Sequence, residues 1–190
     1  MGLDIVNPPP SLLFVPTTIV FEASTTWVVP PGTSKIYAQH WGGGGGGGGA
    51  SVGNFCLPGR AGAPGGAGEY TASTLATIIG ESLTITVGAK GLAGPPETDG
   101  TDGGQSSIKR GATILSSANG GIHGGSCQNP VPGAGGTGGI GTETIQGGPS
   151  GGASPKGGAG GNPPIAPGGG GAAGLDGAIG RVVIMFWQPP

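Results

Sequence analysis

Residues 42–49 of this chain read Gly-Gly-Gly-Gly-Gly-Gly-Gly-Gly, directly after the strand-like segment Ser34-Lys-Ile-Tyr-Ala-Gln-His-Trp41. Glycine makes up 49 of the 190 residues, and most of it lies in runs of this kind, including 133–141 and 168–171. Ordering glycine costs more backbone entropy than ordering any other residue. The run therefore belongs either to a disordered segment or to a fold that requires the absence of side chains.

The composition favours an ordered chain. The 49 glycines and 19 prolines are typical of low-complexity sequence. However, only 8% of the residues are charged and 34% are hydrophobic, whereas a disordered chain normally has high charge and low hydrophobicity. A collagen triple helix is excluded because it needs glycine at every third position, which the run 42–49 does not follow. We therefore expect a fold that rests largely on backbone hydrogen bonds.

Short segments rich in β-branched and aromatic residues alternate with the glycine runs. They predict strands at 18–23, 26–29, 34–41, 69–73, 83–87, 112–116, 142–145 and 182–187. Both alternate faces of the last segment are apolar, which predicts a central strand buried on both sides. Blocks rich in Pro and Asn predict turns at 54–58, 95–101, 126–132 and 162–167. No segment has convincing helical periodicity.

The alternation predicts an all-β fold with two parts. A small β-sheet or sandwich cap, built from N- and C-terminal strands, comprises 17–41, 69–87, 106–118, 142–146 and 181–187. From it extends a bundle of polyglycine II-type legs, with distal turns at the opposite end. A leg of about 7 to 12 residues would span roughly 22–37 Å. Any Ala, Thr, Ser or Ile within a leg should point outward. Residues 1–16 are predicted to form an N-terminal docking arm, and 17–190 a single glycine-rich domain.

The two cysteines, Cys56 and Cys127, both fall in predicted distal turns, which could bring them together despite their separation in sequence. A disulfide there would close a long loop and stabilise the fold by a few kcal/mol. The sequence leaves a disulfide and two separate thiols equally open.

The sequence offers no constellation for catalysis, a cofactor or a metal. Matches to G-x-G-x-x-G carry no information in polyglycine, because no helix follows to bind a pyrophosphate. His40 and His123 lie far apart, without cysteine or carboxylate at metal-ligand spacing. Asp99 and Asp102 lack the other oxygen ligands of a calcium loop and are interpreted as an acidic, solvated turn. We therefore predict a non-enzymatic protein without a cofactor.

Charge and apolar content exclude further classes. The net charge is −2 and the seven basic residues are scattered, which argues against nucleic-acid binding. No apolar stretch approaches the length of a transmembrane helix. The amino end, Met1-Gly-Leu-Asp-Ile-Val-Asn-Pro-Pro-Pro10, lacks the pattern of a secretory signal. If the protein acts outside a cell, we expect that it does not get there by a signal of its own.

Ordered strand blocks between the glycine runs carry a family resemblance. Trp27-Val-Val-Pro-Pro-Gly-Thr-Ser-Lys-Ile-Tyr37, followed by the run 42–49, resembles the opening of the glycine-rich domain of bacteriophage tail-fibre and receptor-binding tip proteins. Further similar blocks follow in order, at 65–70, 82–88, 105–108, 118–125 and 180–184. The resemblance covers about residues 17–187. The chain is similar in principle to tip adhesins whose packed polyglycine II helices carry variable loops to the host surface.

The resemblance implies a virion protein at a tail fibre, tail tip or spike, whose distal loops recognise the bacterial surface. The implied receptor-contact candidates are Asn54, Phe55, Leu57, Glu97, Asp99, His123, Gln128, Asn129, Asn162 and Ile165. The implied partners are a bacterial glycan or outer-membrane protein at the distal loops, and other virion proteins at the arm and β cap. A homotrimer is one expected assembly. The alternatives are a purely architectural baseplate or capsid protein without receptor contact, and a largely disordered linker.

Overall fold

The computed structural model describes residues 15–158, 161 and 165–188, except for the side chain of Gln188. The strands of this part are β1 (Val15–Phe21), β2 (Thr25–Val28), β3 (Lys35–Trp41), β4 (Tyr70–Ala76), β5 (Ser82–Thr86), β6 (Ser106–Arg110), β7 (Thr113–Ala118), β8 (Glu143–Ile145) and β9 (Arg181–Gln188). They form two antiparallel sheets, β1-β9-β3-β4-β8 and β2-β5-β6-β7. The prediction of an all-β fold is confirmed.

The two sheets pack face to face as a small sandwich, which is the predicted β cap. Its core consists of apolar residues from both sheets: Val29, Ile36, Ala38, Leu83, Ile85, Ile108, Val182, Ile184 and Phe186. Trp27 covers one side of this core, with its ring centroid 5.5 Å from that of Phe186. Apolar side chains on alternate positions thus bury one face of each sheet, as expected for packed antiparallel sheets.

The position of the last strand was predicted only in part. β9 pairs with β1 on one side and with β3 on the other. Val182, Ile184 and Phe186 are buried between the sheets, whereas Trp187 on the opposite face is 57% exposed. The expectation of burial on both faces was therefore wrong. The second sheet covers one face of β9. The outer face is covered in part, where Val183 packs against the buried cluster of Trp41, Tyr70 and Ala72.

The boundary of the predicted N-terminal arm also changes. Val15 and Pro16 belong to β1, where they pair with the end of β9. Residues 1–14 lie outside the described residues, so docking by the arm stays a prediction.

Extended glycine-rich legs leave the β cap at one end. The chain forms leg 1 (42–50), leg 2 (61–69), leg 3 (87–95), leg 4 (98–105), leg 5 (119–126), leg 6 (131–139), leg 8 (168–172) and leg 9 (175–180). A shorter segment at 146–152 takes the seventh place in this order and is named by its residue numbers. Strands precede legs 1, 3 and 5, and strands follow legs 2, 4 and 9. The legs therefore run alternately away from the β cap and back to it.

Leg 1 lies at the centre of the bundle and hydrogen-bonds with a period of three. The N–H groups of Gly42, Gly45 and Gly48 donate to leg 2, those of residues 43, 46 and 49 donate to leg 4, and those of residues 44 and 47 donate to the start and middle of leg 9. Its carbonyl oxygens accept from legs 3, 5 and 8 in the same rotation. Three residues per turn is the period of polyglycine II, so each successive group meets a different neighbour.

The neighbours of leg 1 also bond to one another. Around the ring, hydrogen bonds of 2.7 to 3.1 Å join legs 2 and 5, 5 and 4, 4 and 3, 3 and 9, 9 and 8, and 8 and 2. The result is a hexagonal arrangement of six legs around leg 1. Any Cβ atom on residues 42–49 would overlap a backbone carbonyl oxygen of a neighbouring leg. This is the structural reason for eight consecutive glycines.

Non-glycine side chains in the legs mostly point outward, as predicted, with exceptions on leg 2 and leg 9. Leu92 and Ile122 are exposed by 52% and 42%. Ala63, Ala67 and Ala178 are instead buried. Leg 2 differs from the other ring legs because leg 6 and the segment 146–152 also bond to it, which covers its outer side. Alanine is small enough to remain there.

Candidate functional site

Four connections form the end of the bundle opposite the β cap, which we call the distal end. They are the loop 51–60 between legs 1 and 2, the turn 95–98 between legs 3 and 4, the turn 126–131 between legs 5 and 6, and the turn 172–175 between legs 8 and 9. The first three were predicted as turns from their Pro and Asn residues. The fourth lies within a run of Gly and Ala, which gave no signal for a turn.

A disulfide between Cys56 and Cys127 joins the loop 51–60 to the turn 126–131, with a Cα–Cα distance of 6.1 Å. This resolves the alternative that the sequence left open. The potential ligand atoms of the two cysteines and Glu97 lie within 4.8 Å of one another. Because both sulfurs are bonded to each other, neither is a thiolate that could bind a metal in this state.

Glu97, in the neighbouring turn 95–98, holds the loop 51–60 in place. Its carboxylate accepts hydrogen bonds from the backbone N–H groups of Val52, Asn54 and Phe55 at 3.0 to 3.3 Å. Burial raises the pKa of Glu97, but the bonds from these amides and that of Cys56 outweigh it and hold the pKa below its ordinary value. The carboxylate is therefore ionised at neutral pH and serves as an anchor for the loop.

Further bonds hold the loop on itself and on its neighbour. The Ser51 hydroxyl donates to the carbonyl oxygen of Cys56 and accepts from the N–H of Gly53, both at 3.0 Å. At the base of the loop, the Ser51 N–H donates to the carbonyl oxygen of Arg60. The neighbouring turns are also joined to each other, because Gln128 donates from its side chain to the carbonyl oxygen of Glu97. The loop itself is thus fixed at its base and in its middle.

This fixed loop presents apolar side chains to solvent. Phe55 is 80% exposed and Leu57 is 76% exposed, on either side of Cys56. Val52 of the same loop and Val131 of the disulfide-linked turn are also exposed. Several large apolar groups exposed together on an ordered loop mark a candidate interaction site.

Four of the other predicted contact residues also lie at the distal end, where Asn54, Leu57, Gln128 and Asn129 are all exposed. Asp99 is exposed as well, but it lies on leg 4, directly after the turn 95–98. Glu97 was predicted to be a contact residue, but it is only 7% exposed. This correction has a clear cause, because the carboxylate is turned inward to the amides of the loop. Val52 and Val131 were missed, although apolar residues inside turn blocks were the available signal.

Two predicted contact residues lie away from the distal end, and a third is outside the described residues. His123 lies along leg 5, because that leg continues beyond it through the bond from the Gly124 N–H to leg 1. Ile165 lies near the β cap, since Gly168, three residues later, already bonds to the cap ends of legs 2 and 9. Asn162 lies outside the described residues. The described part of the predicted turn 162–167, residues 165–167, therefore does not lie at the distal end.

Asp99 and Asp102 have a structural role that the sequence analysis missed. Both lie on leg 4 and accept hydrogen bonds from outward-facing amides of leg 5, those of Ser126 at 2.6 Å and His123 at 2.8 Å. The Asp102 carboxylate also contacts His123 Nδ1 at 2.7 Å. Asp176 of leg 9 binds the N–H of Ala93 in the same way. The available signal was the spacing of Asp99 and Asp102, because residues three apart share one side of a helix with three residues per turn.

With this geometry established, comparison with known proteins gives the family. The chain matches the glycine-rich domain family over residues 18–186 and belongs to it. No curated protein matches the chain. Within the described residues, no helix is long and apolar enough to cross a membrane.

Proposed function

We propose that this chain is a non-enzymatic bacteriophage virion protein at a tail fibre, tail tip or spike. Its distal end contacts the bacterial surface. The observation that carries the proposal is the exposure of Phe55 and Leu57 on a loop fixed by a disulfide and by Glu97. The resemblance of the strand blocks to tail-fibre tip proteins supports it.

The physical argument rests on preorganisation. A loop that is already fixed loses little conformational entropy when a partner binds, so more of the contact energy contributes to affinity. An exposed aromatic ring beside an aliphatic side chain supplies the buried anchors of an interface. Asn54 on the same loop, and Gln128 and Asn129 on the disulfide-linked turn, add exposed amides that suit a polar rim, as a glycan or an outer-membrane protein would need.

The opposite end of the molecule suits attachment to the virion. Exposed apolar residues of the β cap are Val20, Val28, Ile78, Ile79 and Trp187. Together with residues 1–16, they provide a surface for other virion proteins, including copies of this chain in a homotrimer. The bundle between the two ends then serves as a spacer that separates attachment from recognition.

The test compares two matched pairs of exposed apolar residues at opposite ends. Phe55→Ser with Leu57→Ser removes the distal anchors, and Ile78→Ser with Ile79→Ser is the control on the β cap. Purified protein is added as a competitor of phage adsorption. We expect the distal variant to lose competition by about tenfold or more, and the control to compete like the unmodified protein. Equal competition by the distal variant, with thermal stability unchanged, would contradict the proposal.

The architectural alternative predicts a different location. Immunogold labelling of virions would then mark the capsid shell or the baseplate, and adsorption would be insensitive to both pairs. Label at the tail tip or fibre supports the proposed role.

A further inference from the structure

A groove of about 410 Å³ runs along the side of the glycine bundle, near the β cap and away from the distal end. Its walls are Asp102 and Gln105 of leg 4 and Thr137 of leg 6, and its floor is Gly120 of leg 5. Its volume falls within the range of ligand pockets in proteins, about 300 to 1,000 Å³.

The groove occupies the next position of the lattice. Outside the ring of six legs, leg 6 lies in the notch between legs 2 and 5, bonded to both through Gly133, Gly136 and Ala134. The segment 146–152 fills the neighbouring notch between legs 8 and 2. The groove lies in the following notch, between legs 5 and 4, with leg 6 as its side wall. A further leg placed there would continue the outer layer.

Backbone groups in this groove remain available for hydrogen bonds. Among the described residues, neither the N–H nor the carbonyl oxygen of Gly120 has a partner, and the same holds for Gly135 on leg 6. Gly135 is buried, so its unpaired groups carry a desolvation cost. A ligand with backbone-like donors and acceptors would remove that cost.

The side chains along leg 4 show why the notch is open at this level alone. Because the legs have three residues per turn, every third amide of leg 5 faces the same side of the leg. Of these amides, those of Ser126 and His123 are bonded to Asp99 and Asp102 of leg 4. At the third step Gln105 has the equivalent position, but its side-chain amide donates to Asn119 Oδ1 at 2.7 Å. The amide of Gly120 is therefore left without a partner from leg 4.

We propose that this groove binds one further leg, an extended glycine-rich segment of a separate polypeptide in the polyproline II conformation. The mode is the polyglycine counterpart of strand addition to the edge of a sheet. One turn of such a segment spans about 9 Å, which matches the three to four residues of each leg that line the groove. Glycine is required because a Cβ atom would keep the segment from the backbone of Gly120, as it would elsewhere in the lattice.

The rim adds selectivity to this site. Asp102 disfavours an acidic segment, and the amides of Gln105 and Gln146 with the hydroxyl of Thr137 can bond to groups of the segment that face away from the floor. The preferred partner is a neutral or basic Gly-Gly-X segment. The site is independent of the proposed function, since it lies on the bundle and uses none of the distal loop.

The experiment titrates ¹⁵N-labelled protein with a blocked nonapeptide, Gly-Ala-Gly-Gly-Thr-Gly-Gly-Ile-Gly, which has the sequence of residues 133–141. A control peptide has alanine in place of every glycine. We expect saturable shifts of the Gly120 and Gly135 amide signals with the glycine peptide and no shifts with the control. The Phe55 amide should not respond.

Two variants localise the binding. Ala134→Arg fills the groove from an exposed, outward position on leg 6, and Ala61→Arg makes the same change at an exposed position outside it. Ala134→Arg should weaken binding by about tenfold or more, and Ala61→Arg should not. The proposal is overturned if no shifts occur with about 10 mM peptide, if the alanine peptide binds equally, or if Ala134→Arg binds normally. A neutral oligosaccharide that shifts the same amides when the peptide does not would assign the groove to glycans and also overturn it.

Discussion

Buried side chains hold the β cap together, whereas backbone hydrogen bonds hold the glycine bundle together. In the β cap, side chains such as Ile36, Leu83 and Ile184 are buried between two sheets, and apolar burial stabilises the fold. In the bundle, residues 42–49 of leg 1 have no side chains, and each of their N–H groups donates to a neighbouring leg. The comparison teaches that a glycine run can be a core when its backbone is surrounded on every side. Four predictions test that contrast, in order of decreasing effect.

The largest effect should come from a single methyl group at the centre of the bundle. Gly46→Ala would place a Cβ atom against the carbonyl of Leu92 on leg 3. Because the obstacle is backbone fixed by its own hydrogen bonds, we expect a loss of more than about 4 kcal/mol in the free energy of unfolding. Ala134→Val adds more atoms at an exposed position of leg 6 and should change it by less than about 0.5 kcal/mol. Chemical denaturation measures both, and similar values for the two variants would contradict the central role of leg 1.

The disulfide should have the next largest effect. It connects cysteines 71 positions apart at the distal end, where no sandwich core lies. By the chain-entropy argument, its loss in Cys56→Ser with Cys127→Ser should cost about 4 kcal/mol. Thermal denaturation with and without a reductant provides the control, since the reductant should destabilise only the unmodified protein. If the reductant left the unmodified melting temperature unchanged, the bundle would not depend on this connection.

His40 should make the junction of the two regions sensitive to pH. It is fully buried on β3, and burial lowers its pKa from 6.5 to about 4. The unfolded chain therefore takes up a proton as the pH falls below 6.5, and the folded protein does so only near pH 4. Stability from this residue is complete above pH 6.5 and declines by about 3 kcal/mol as the pH falls to 4. His40→Gln should remove that decline, and the control His123→Gln should retain it. Parallel pH profiles for all three proteins would refute the assignment to His40.

The smallest effect should come from the aspartates on the outside of the bundle. The Asp99 carboxylate accepts a hydrogen bond from the backbone amide of Ser126. This bond, together with one from the Ser126 hydroxyl, holds the pKa of Asp99 below its ordinary value of 3.8. Asp99→Ala should cost about 0.5 to 1 kcal/mol at pH 7. The difference from the unmodified protein should persist above about pH 4 and vanish as the pH falls through the lowered pKa. Asp99→Asn, which keeps an acceptor oxygen, is the control and should lose less. A loss that did not change with pH would show that the charge plays no part.

The sequence predicted the architecture better than the surface. Most strand positions and the alternation of legs followed from residue types, because β-branched segments and glycine runs differ strongly. The strand β6 (Ser106–Arg110) was not predicted, since Ile108 is its single β-branched residue. The inward turn of Glu97 and the mid-leg position of His123 did not follow. Both depend on the register between legs that are distant in sequence. Leg 1 needs eight glycines because six legs enclose it. Leg 5 belongs to the surrounding ring, so the side chain of Ile122 can point outward.

Hydrogen exchange at residues 42–49 tests the central claim most directly. Leg 1 is enclosed by six hydrogen-bonded legs, so its amides should exchange only through global unfolding. Their protection should equal that of the β3 and β4 amides and exceed about 10³, while the Gly120 amide exchanges much faster. Exchange of residues 42–49 at the rate of an unfolded chain, with the β cap still protected, would contradict the account.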